Sequence, residues 1–83
     1  MEITNKDRFD FYIKIKNHIK QFKGSKIQDI GILFKEKKVT NTDLISQVVL
    51  IATANDIETF DQLIIFFEKK IMKVQKEIAN GNP

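Results

Sequence analysis

IETFDQLIIFFEKKIMKVQKEI, residues Ile57 to Ile78, sets Ile57, Phe60, Ile64, Phe67, Ile71, Val74 and Ile78 at alternating steps of three and four. A strand would repeat every second residue, so this spacing predicts one continuous α-helix with an apolar seam along one side. Asn55 or Asp56 can cap its first turn, and Glu58 and Asp61 suit the positive end of the helix dipole. Lys69, Lys70, Lys73 and Lys76 crowd the opposite, negative end. Asn80 and Gly81 then offer a left-handed stop, with Pro83 behind them. At about 1.5 Å per residue such a helix crosses a small domain from end to end.

Leu63, Ile64, Ile65, Phe66 and Phe67 interrupt the two-faced pattern. With Ile57 at heptad position a, Leu63 falls at g, Ile65 at b and Phe66 at c, so the middle of the helix is apolar almost all round. A helix of that kind is covered on more than one side, by its own chain or by another molecule. Leu63, Ile65 and Phe66 are therefore the candidate protein-interface residues, and a twofold homodimer in which the patch covers itself is the expected arrangement.

The chain has 83 residues, enough for one domain but not for a thick core, since a chain this short hides only about 60% of the surface it exposes when unfolded. Cysteine is absent and His18 is the sole histidine, which excludes disulfides, thiolate metal sites and histidine cages. No apolar run approaches the roughly 20 residues that span a bilayer. The start of the chain, Met1 to Lys6, has neither the basic head nor the apolar middle of a signal peptide, so a cytoplasmic protein is expected. Net charge is +3, and Arg8 is the only arginine among 14 basic residues. Lysine acts mostly as a solvated point charge, whereas arginine clamps phosphates and reads guanine edges. The richness in lysine, isoleucine, asparagine and phenylalanine suits an AT-rich coding genome, such as that of a low-GC bacterium or mobile element.

Upstream, Thr4 and Asp7 have the spacing of a capping box for a first helix that closes at Gly24. Phe11, Tyr12, Ile15, Ile19 and Phe22 share one side of it. Residues 9–15 also alternate as a strand would, but the alternation fails after Ile15 while the helical stripe continues to Phe22. Ser25 and Gln28 suggest a second capping box, leading into Ile27, Ile30, Leu33 and Phe34, with Gly31 marking a close contact or a break. Thr40 to Asp43 then start a third helix, Leu44 to Ala52, whose scarcity of polar residues predicts the most buried segment of the chain, with a strand as the minority alternative. The expected fold is all-α: a single domain, residues 1–83, built as a small bundle of about four helices around a long C-terminal one, with 79–83 frayed.

Catalytic chemistry finds little support in this pattern. His18 lies at the edge of an apolar stripe, Ser25 and Ser46 lack a glycine-flanked elbow, and Asp7 with Asp10 is what a first helical turn attracts anyway. No phosphate loop, His-Glu pair or calcium loop occurs. No catalytic, cofactor-binding or metal-binding residue is assigned, no cofactor is implied, and the chain is expected not to be an enzyme. Lys69, Lys73 and Lys76 line one side of the last helix and are the candidate nucleic-acid contacts, although the would-be recognition helix of a helix-turn-helix is apolar where base-reading side chains should stand. Membrane contact by the first helix is disfavoured, because aromatics at helical spacing usually belong to a core. The expected function is that of a non-enzymatic protein-interaction or regulatory accessory module that self-associates, with nucleic-acid binding as the alternative.

Overall fold

The computed structural model describes residues 3–81. Four α-helices follow one another: α1 (Asn5–Ile19), α2 (Ile30–Glu36), α3 (Thr42–Ala54) and α4 (Phe60–Ala79). Short 3-10 turns, Lys20–Phe22 and Ile27–Asp29, prolong α1 and precede α2. Among the described residues there is no strand, only an isolated antiparallel bridge between Lys26 and Thr59. The all-α bundle around a long C-terminal helix is thus the architecture of the chain.

Helix α1 begins as its sequence predicts. Thr4 Oγ1 accepts from the Asp7 N–H at 3.1 Å and Asp7 Oδ2 accepts from the Thr4 N–H at 3.1 Å, a reciprocal capping box. Residues 9–15 are helical, and Ile15, Ile19 and Phe22 turn into the core while Phe11 and Tyr12 lie half-buried at its margin. Gly24, at φ +92°, ends the segment in a conformation that a side chain would strain.

The start of α4 differs from expectation. Asn55 and Asp56 close α3: Asn55 Nδ2 donates to the Ile51 carbonyl at 2.8 Å, and Asp56 takes a left-handed φ of +53°. The capping residue of α4 is Thr59, whose Oγ1 accepts from the Gln62 N–H at 3.2 Å while Gln62 Oε1 accepts from the N–H groups of Glu58 and Thr59. The first turn is held from outside as well. Phe60 N–H donates to the Ser25 carbonyl at 3.0 Å, Ile27 N–H to the Glu58 carbonyl at 2.9 Å, and Gly24 N–H to Asp61 Oδ1 at 2.7 Å. One donor that the helix start leaves orphaned, the Phe60 N–H, is therefore satisfied by a backbone strap from the α1–α2 connection, whose own Ile27 and Gly24 N–H groups donate back to the first turn. Ile57 keeps the seam spacing although it precedes the helix, because its side chain packs on the same core from the turn.

The box expected of Ser25 with Gln28 does not form: the Ser25 N–H that Gln28 would have to accept donates to the Phe22 carbonyl at 3.0 Å, and both the Ile27–Asp29 turn and α2 start without a side-chain cap. A Cβ at Gly31 would meet nothing within 4 Å, so this glycine marks neither a close contact nor a break. Helix α3 starts with Asn41 Oδ1 accepting from the Leu44 N–H at 3.1 Å. It is not the most buried segment. Leu44, Val48 and Ala52 enter the core along one line, but Leu50 is 70% exposed and Val49 is exposed as well.

Helices α1 and α4 are the closest pair and run antiparallel, with Phe22 beside Phe60 at one end and Phe9 beside Ile78 at the other. An aromatic cluster fills the junction with α2: Phe22 stacks on Phe34 at 4.9 Å between ring centroids and tilts against Phe60 at 5.3 Å. Tyr12 meets Phe67 at 5.8 Å farther along. The molecule measures 41 × 24 × 21 Å, elongated because α4, about 30 Å long, outreaches the shorter helices. Of the tail expected to fray, Ala79 is helical and Gly81 supplies the left-handed stop at φ +85°, while residues 82 and 83, including Pro83, lie outside the described residues.

Candidate functional site

The outer face of α4 brings one of the expected interface residues, Ile65, together with the three candidate lysines. Successive residues of a helix turn by about 100°, so Ile65, Lys69, Met72, Lys73 and Lys76 share the side opposite the buried line of Phe60, Ile64, Phe67, Ile71 and Val74. Ile65 is 53% exposed and Met72 68%. The three lysines are exposed beside them. Met72 joins the face beyond the residues that the sequence singles out; its separation of seven residues from Ile65, which returns it to the same side after two turns, is the signal that identifies it.

The other expected interface residues sit elsewhere. Leu63 is 0% exposed and belongs to the core cluster, so it has no surface left to offer another chain. Its position is 60° from the seam residue Phe60, near enough for α1 and its 3-10 extension, which pack on α4, to help cover that side. Phe66 is half-buried, edge-on to Phe67 at 5.5 Å, with Lys70 Nζ 5.4 Å from its ring centroid. A lysine over the ring face gains cation–π attraction and shields the aromatic surface from solvent. Only Ile65 of that trio is freely exposed.

A second uncovered face lies on α3. Leu50 stands among Ser46, Thr53 and Ala54, flanked by Val49. From Leu44 to Asn55 the chain carries no charged residue, in a protein that is 30% charged. Depletion of charge around an exposed aliphatic side chain is the compositional mark of an interface centre.

Shallow depressions flank the α1–α4 seam, one beside Phe9, Gln75 and Ile78, the other beside Arg8, Tyr12 and Glu77. Neither gathers a nucleophile with a base. His18 is exposed, and its carbonyl accepts from Gln21 Nε2 at 2.9 Å. Among the described residues no group of three histidine, cysteine or acidic side chains could hold a metal ion, and no helix is long and apolar enough to cross a membrane. Comparison with protein-family models, with curated proteins and with solved structures found no match to this chain.

Proposed function

We propose that the protein is a non-enzymatic helical interaction module, a regulatory or accessory factor that works in the cytoplasm by binding another protein through the outer face of α4. The observation that carries this proposal is the exposure of Ile65 and Met72 on a helix whose other side is fully used in the core. Large aliphatic side chains held in water by a rigid helix gain about 25 cal/mol for each Å² that a partner covers.

Self-association belongs to the same proposal, but not through Leu63, Ile65 and Phe66. Leu63 is buried, Phe66 is half-covered, and a second copy on this face would set Lys69, Lys73 and Lys76 against their own counterparts. The uncharged face of α3 around Leu50 lets two copies meet without that repulsion. Nucleic-acid binding is the weaker alternative, since phosphates would engage the lysines and leave Ile65 and Met72 without a contact.

Affinity capture from a nuclease-treated lysate of the source cell, with wild-type protein and an Ile65→Ser/Met72→Ser variant side by side, tests the proposal. A protein retained by the wild type and lost by the variant is the expected result. Equal recovery by both, or recovery of nucleic acid alone without nuclease treatment, would overturn it.

A further inference from the structure

We infer that the partner of α4 presents an acidic amphipathic helix, because Ile65 and Met72 are interleaved with Lys69, Lys73 and Lys76 on one exposed face. This inference rests on the interaction proposed above and adds the chemistry of the partner.

Between Gln62 and Lys76 the outer sector of α4 carries Lys69, Lys73 and Lys76 on one side of Ile65 and Met72, and a single carboxylate, Glu68, borders it on the other. Asp61, one turn before Ile65, is held toward the α1–α2 connection, where its Oδ1 accepts from the Gly24 N–H at 2.7 Å. Glu68 is exposed about 60° from Ile65 and about 40° from Met72, on the side away from Lys73, so the lysines outnumber it on this face. A partner must therefore satisfy two conditions at once: apolar side chains to cover Ile65 and Met72, and anionic groups to meet the lysines. Nucleic acid meets only the second condition, and a neutral apolar helix only the first. A helix with apolar residues at three- and four-residue steps, bordered by glutamate or aspartate, meets both. The lysine stems would lie along the apolar contact while their ammonium groups reach the flanking carboxylates.

The stripe from Ile65 to Lys76 extends for about 16 Å, and a single helical face of that length offers less than the roughly 800 Å² per partner of a standard interface. Binding is accordingly weak and reversible, with a fast, salt-sensitive association steered by the lysines.

Fluorescence anisotropy with labelled probes decides the matter. The probes are an amphipathic peptide with leucine at heptad positions a and d and glutamate at e and g, the same peptide with lysine in place of glutamate, polyglutamate, and a short DNA duplex. The acidic amphipathic peptide is expected to bind about tenfold or more tightly than each of the others, a difference of about 1.4 kcal/mol. The Ile65→Ser/Met72→Ser variant should lose about tenfold in affinity for it, and the Lys69→Glu/Lys73→Glu/Lys76→Glu variant should transfer the preference to the lysine peptide. Tighter binding of the duplex or of polyglutamate, no preference between the two peptides, or no binding of the acidic peptide would overturn the inference. Loss of acidic-peptide binding alongside capture of a cellular protein that depends on Ile65 and Met72 would remove the acidic partner and leave the interaction module standing.

Discussion

Thr59 shows how a single side chain decides where the longest helix begins. Its hydroxyl and the Gln62 side chain satisfy each other's backbone donors, and the strap from Ser25 takes the Phe60 N–H. Replacing Thr59 with alanine should lower the free energy of unfolding by about 1 kcal/mol, read from urea denaturation followed by circular dichroism. Gly31 should act in the opposite direction. It lies inside α2 without a left-handed φ, and an added Cβ meets open space, so Gly31→Ala should raise stability by about 0.5 to 1 kcal/mol. Local signals at this scale are legible where the side chain bonds its own neighbours, as at Thr4 with Asp7 and at Asn41. The box of Thr59 and Gln62 has the same spacing, but the apolar seam extends past it to Ile57 and obscures the boundary. Ser25 misleads for a different reason: its N–H is taken by the Phe22 carbonyl, and its own carbonyl is recruited by α4, a long-range contact that no window of local sequence contains.

At the scale of elements, periodicity is reliable for the existence of a helix and less so for which sides are covered. The seam of α4 from Phe60 to Val74 reaches the core as its spacing predicts, and the helical stripe of α1 prevails over the alternation of residues 9–15. Coverage depends on how many neighbours a short chain can supply. Helix α3 is apolar enough to be enclosed, yet α1 and α4 use their inner faces largely on each other, so Leu44, Val48 and Ala52 are buried while Ile45 and Ile51 are only partly covered at the margin. Leu50 and Val49 are left outside. Leu50→Lys should therefore leave the free energy of unfolding within about 0.5 kcal/mol of the parent, because an exposed site loses no packing. If two copies meet on this face, the same change should abolish concentration-dependent sedimentation; a wild-type protein that sediments as a monomer at every concentration would remove self-association from the proposal.

In the whole molecule, the two sides of α4 divide the work between folding and recognition. Its inner side joins the aromatic cluster of Phe22, Phe34 and Phe60, and its outer side carries Ile65 and Met72 among lysines. A domain of this size has only about 5 to 15 kcal/mol of net stability, so the two sides should respond very differently to substitution. Truncating Phe60 to alanine removes a fully buried ring and should cost about 3 to 5 kcal/mol, a large share of that stability. The candidate surface was legible in part: Ile65 and the lysines stand out in sequence and heptad spacing adds Met72, whereas the burial of Leu63 and the shielding of Phe66 by Lys70 emerge only once the helices are assembled. The most direct test of this division is the urea unfolding of the Ile65→Ser/Met72→Ser variant. The outer side being free of the core, its unfolding free energy should match the wild type to within about 0.5 kcal/mol. A loss of 2 kcal/mol or more, of the order that buried aliphatic truncations produce, would contradict the account by making these two residues part of the core.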